Sequence, residues 1–113
     1  MPSNYIYDFT AFVTLLPSEL GGRKNNVYSG FRPSFTFGTT RHYSGELFFS
    51  KKTPIKPGEN AMMTVKLLPA VTIPKNLSVN DTFKIYEGNR VIGHGLIKSE
   101  IVKREIETID INS

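Results

Sequence analysis

Residues 5–16 alternate without a break. Tyr5, Tyr7, Phe9, Ala11, Val13 and Leu15 fall on one side, and Ile6, Asp8, Thr10, Phe12, Thr14 and Leu16 on the other. A period of two with one strongly apolar side belongs to a β-strand lying on a core, not to a helix. Shorter pieces repeat the signal. Phe35 and Phe37 alternate with Ser34, Thr36 and Gly38, and Glu46-Leu47-Phe48-Phe49 is an apolar run after Gly45. Within 61–68, Met63, Val65 and Leu67 stand opposite Met62, Thr64 and Lys66. Segments 82–86 and 90–98 flank Glu87-Gly88-Asn89, which reads as a tight hairpin turn with Gly88 or Asn89 at positive φ. Pro54, Pro57 and Gly58 punctuate one connection, and Pro69 and Pro74 bracket a segment outside the ladder. Pro17-Ser18-Glu19-Leu20 is at most a turn, ended by Gly21-Gly22. Short strands with regular turn signals predict an all-β chain, a small antiparallel barrel or sandwich.

A length of 113 residues fits one domain, and 39% hydrophobic residues suit a globular one. With no cysteine, disulfides, thiol catalysis and thiolate metal sites are excluded. No apolar run approaches the roughly 20 residues that span a bilayer. Met1-Pro2-Ser3-Asn4 lacks the basic start of an export signal, so a cytoplasmic location is expected. Residues 1–99 carry twelve Lys/Arg against six Asp/Glu, while residues 100–113 carry two against four. A basic body suits polyanions or acidic protein surfaces, and equally a plain solubilising surface. The expected organisation is a barrel domain over 1–99 with an extension over 100–113. In the extension Ile101, Val102, Ile106, Ile109 and Ile111 lie among charges with imperfect alternation. It reads as an added strand, a partner-bound segment or a free tail.

Enzymatic constellations are missing. His42 and His94 are the only histidines, and nothing in the sequence gives them a carboxylate partner, so no metal is expected. There is no Gly-x-Ser-x-Gly elbow and no Gly-x-x-x-x-Gly-Lys-Ser/Thr phosphate loop. Glu87 has no neighbouring carboxylate or base and reads as a turn carboxylate rather than a catalytic acid. Neither nucleotide nor cofactor is expected. Phe35 and Phe37 alternate as core residues do rather than as a base-stacking platform. One ring of the Phe48-Phe49 pair must face outwards, beside Lys51-Lys52, where it would suit a partner surface. Arg32, held extended by Pro33, is expected to tie down loop carbonyls with its guanidinium.

Four motifs follow one another: Gly21-Gly22-Arg23, Gly30-Phe31-Arg32-Pro33-Ser34-Phe35-Thr36-Phe37-Gly38-Thr39-Thr40, Pro57-Gly58-Glu59-Asn60, and Glu87-Gly88-Asn89-Arg90-Val91-Ile92-Gly93-His94-Gly95. In this order and spacing they resemble the third, C-terminal domain of bacterial translation elongation factor Tu, over roughly residues 8–99. The resemblance implies a small six-stranded antiparallel closed β-barrel without nucleotide chemistry. That domain touches the T-stem backbone of aminoacyl-tRNA, its own GTPase domain and the exchange factor. The matching positions here are Arg23, Lys24, Ser34, Ser44, Glu87 and Gly88, with Arg90 beside them. Lys24, Ser34, Ser44 and Asn89 replace the family's His, Gln, Thr and Gly, and one extra residue falls in Arg41-His42-Tyr43. The expectation is a stand-alone, non-enzymatic binding module that engages a protein partner of that factor, in a mimic, decoy or immunity-type role. The alternative is an accessory translation protein that grips the tRNA T-stem backbone. Arg23 and Lys24 would approach phosphates, and Glu87 would accept a hydrogen bond from a ribose 2′-OH.

Overall fold

The N-terminal alternation becomes one long strand around which the rest closes. The computed structural model describes residues 5–50, 53–68 and 77–105. Lys51-Lys52, the Pro69–Pro74 segment and residues 106–113 lie outside the described residues. Among the described residues seven strands follow in order: β1 (Tyr5–Leu15), β2 (Ser34–Thr36), β3 (Tyr43–Phe48), β4 (Asn60–Leu67), β5 (Thr82–Glu87), β6 (Arg90–Ile97) and β7 (Val102–Glu105). A 3-10 turn, Ser18–Leu20, is the only other regular element among the described residues, and it falls at the expected Pro17–Leu20 turn.

All pairings are antiparallel. β1 hydrogen-bonds β4 along one edge, from Tyr7 to Thr14, and β6 along the other, from Ala11 to Leu15. Around the remaining circuit run β4–β3, β3–β2, β2–β5 and β5–β6. The six strands therefore form the expected closed barrel, which has no open sheet edge along the circuit.

Alternation decides what fills it. Tyr7, Phe9, Ala11, Val13 and Leu15 point inwards and are buried, as do Leu47, Met63, Val65, Leu67, Ile85 and Ile97 from the other strands. Phe83 sits at the centre of an aromatic cluster, with Phe9, Phe35 and Phe37 rings at 5.7, 5.8 and 5.5 Å. Phe35 and Phe37 are thus core residues. β3 begins earlier than the apolar run suggests. Tyr43, Gly45 and Leu47 face inwards, which puts half-buried Phe48 on the outer face with Lys66 Nζ 5.5 Å above its ring. Phe49 packs against the core.

β7 continues the line of β6 along β1 and pairs with Tyr5–Asp8. It fastens Asp8, which is 8% exposed and one of two buried polar residues among the described residues. Arg104 Nε donates to Asp8 Oδ2 at 2.8 Å. Nearby, Thr10 N–H donates to Ser99 Oγ at 2.7 Å. Removing residues 100–113 strips Asp8 of this partner and exposes the Tyr5–Asp8 edge. The Arg104 side chain is 66% exposed, so solvent screens the pair and the loss stays at about 1–2 kcal/mol. The truncated chain should melt roughly 5–15 °C lower. An unchanged melting temperature would contradict this role for β7.

Candidate binding face

Gly88-Asn89 closes the β5–β6 hairpin. Glu87 pairs with Arg90, and Gly88 takes φ 62° while Asn89 does not turn positive. Positive φ at the first central residue alone is the pattern of a II′ turn, where glycine avoids the Cβ penalty. A β-bulge follows: Ile85 faces Gly93 and Tyr86 faces Val91, so Ile92 is extra and swings into the core.

Register then gathers residues that lie far apart in sequence. Ser44 on β3 pairs with Ser34 on β2, and Ser34 with Tyr86 on β5. Tyr86 precedes Glu87 and Gly88, and Arg90 lies opposite Glu87. One polar row thus runs from β3 across β2 and β5 to the hairpin tip.

Arg23 joins this row from the loop after the 3-10 turn. Its Nε donates to Glu87 Oε1 at 3.2 Å, and its Nη1 donates to the Asn26 carbonyl at 3.0 Å. Its guanidinium lies 4.7 Å from the centre of the Phe31 ring. The side chain is only 17% exposed. Arg23 is therefore a strut that fixes the 21–31 loop to the hairpin. The guanidinium that ties down a loop carbonyl is that of Arg23. Arg32 is exposed and pairs with Glu46 at 3.5 Å. Lys24, next in sequence, is exposed and, with Arg90, makes no ion pair among the described residues.

Two residues of this face were not named as binding residues from the sequence, where His42 was weighed only as a metal ligand. His42 Nδ1 and Ser34 Oγ share a hydrogen bond at 3.0 Å, and the His42 ring meets Tyr86 edge-on with centroids 4.5 Å apart. No local signal marks either one. His42 arrives through the path of the 37–42 loop, and Tyr86 through its cross-strand partner.

Away from this face the outer surface of β1 carries a short apolar row. Phe12 is opposite both Met62 and Leu96, with Phe12 36% and Met62 49% exposed. Among the described residues no three His, Cys, Asp or Glu side chains group as metal ligands, and no helix is long and apolar enough to cross a membrane.

The six paired strands make a small, closed, antiparallel β-barrel domain. The sequence model of the elongation factor Tu C-terminal domain matches residues 2–101. The chain belongs to that family, whose barrel is a non-catalytic domain.

Proposed function

We propose that this protein is a non-enzymatic binding module that grips the sugar–phosphate backbone of structured RNA, with tRNA as the family's example, on the face formed by β2, β3 and the β5–β6 hairpin. The row Ser44–Ser34–Tyr86 with Arg90 and Lys24 at its end carries the proposal. It offers hydroxyls on a sheet and, beside them, two cations that make no ion pair among the described residues, and Gly88 lets a backbone approach closely. Lys24 and Arg90 supply the charge. Ser34 and Ser44 supply hydroxyl contacts. Arg23 holds the loop that presents Lys24, and the outer oxygen of Glu87 is left to accept from a 2′-OH. Such a partner implies action in the cytoplasm.

Affinity for tRNA should fall steeply with ionic strength, since each neutralised phosphate releases counterions. Lys24→Ala/Arg90→Ala should flatten the slope of log K against log salt by about 1.5 units, at 0.7–0.9 per contact. A double variant with the wild-type slope would sink the assignment.

A second reading, a protein partner that recognises the parent factor, is favoured by the Phe12–Met62–Leu96 row. A mimic or decoy role would follow from it. Met62→Lys should then break the protein complex and leave RNA affinity unchanged. Survival of that complex would remove the apolar row from the account.

A further inference from the structure

A groove of about 800 Å³ lies beside this face, on the outside of β2, β5 and β6. The loop after β2 contributes Gly38, Thr39, Thr40 and His42 to its lining. His42 stands in its wall, held by Ser34 and braced against Tyr86. Lys84 rises from its floor, flanked in register by Thr36 on β2 and His94 on β6.

The ten lining residues include Lys84, two histidines, Tyr86 and four threonines, but no aspartate or glutamate. Lys84 makes no ion pair among the described residues. A concave site with a cation, hydroxyls that both donate and accept, and no carboxylate attracts an anion that also carries hydroxyl groups. His42 belongs to both the groove and the Ser34 row, so a chain lying on that row enters the groove without a gap.

We propose that this groove is a second anion site, which takes a phosphate and its ribose from the same RNA that lies on the Ser44–Ser34 row. Lys84 is its phosphate-binding residue, and exposed Thr82 meets a ribose hydroxyl. This rests on the RNA reading given above and extends it by one contact, made away from the hairpin tip.

The test follows backbone amide shifts of the full chain during titration with an RNA hairpin and, separately, with inorganic pyrophosphate. It compares the wild type with Lys84→Gln and with Lys24→Ala/Arg90→Ala. Lys84 is exposed, so Lys84→Gln should melt with the wild type. The proposal expects RNA to shift Thr36, His42 and Lys84 together with Ser34 and Ser44. Lys84→Gln should silence the groove, keep the Ser34 and Ser44 shifts, and lower the salt slope by about 0.7–0.9. RNA shifts confined to the row and the hairpin would overturn the groove and leave the RNA face standing. Shifts in the groove with pyrophosphate but not with RNA would overturn RNA as the source of the phosphate. Silence of every residue with RNA would remove the RNA face and this inference together.

Discussion

Gly95→Ala is expected to destabilise the barrel by about 2–3 kcal/mol, near the upper end of what overpacking a core costs. A Cβ on Gly95 would stand 2.1 Å from Phe83 Cζ and 2.6 and 2.7 Å from the two Cε atoms. The ring occupies the space that a side chain would need. Gly95 and Phe83 are direct cross-strand partners on β6 and β5, so neither can slide away without shifting the ladder. Nor can the ring retreat, because Phe9, Phe35 and Phe37 surround it. Phe83→Ala removes the same contact from the other side and should cost about 3–5 kcal/mol, by leaving a void among three rings. Phe83→Leu in the Gly95→Ala background should recover part of the loss, because the smaller side chain makes room for the methyl group. Urea denaturation of the four proteins gives the coupling directly. A Gly95→Ala variant within about 0.5 kcal/mol of wild type would contradict this packing.

Arg23→Ala should also be damaging, at about 2–3 kcal/mol. It removes a charged hydrogen bond to the Asn26 carbonyl, an ion pair with Glu87 and a guanidinium stacked on Phe31. Taken singly, these are worth about 1.5–3, 0.2–1 and 0.5–1 kcal/mol, and they are not additive. Arg23→Lys should rescue little. An ammonium cannot hold a carboxylate, a carbonyl and an aromatic face from one planar group. If the proposed face binds RNA, losing the strut should also weaken that binding, and amide exchange should quicken across 21–31. Lys24→Ala, by contrast, should change the salt slope and leave stability alone. If Arg23→Ala behaved like Lys24→Ala, with full stability and a lower slope, Arg23 would be a phosphate contact and not a strut.

The barrel was legible because β1 writes its alternation over eleven residues and turn residues separate the later strands. Where the reading slipped, a local pattern hid a neighbour. Gly45 resembled the end of a loop, yet it lies buried inside β3 between Tyr43 and Leu47. Arg32 looked like the tethering arginine because of Pro33, whereas burial against Phe31 gave that task to Arg23. The candidate residues were named through four motifs, but their arrangement was not readable. Arg23 and Glu87 are 64 positions apart, and only the closed sheet makes them partners. His42 and Tyr86 depend on register and loop path, which leave no mark in a single sequence. Phe12 broke the polar side of β1 openly, but its companions Met62 and Leu96 emerge only once β4 and β6 are paired with it.

Photo-cross-linking of tRNA to the full chain, followed by peptide mapping, asks most directly whether this protein holds RNA on the proposed face. Adducts are expected on the β2–β3 and β5–β6 peptides, around Ser34, Ser44, Tyr86 and Arg90, and on the loop that carries Lys24. Adducts centred instead on Phe12 and Met62, or none at low ionic strength, would contradict RNA binding on that face.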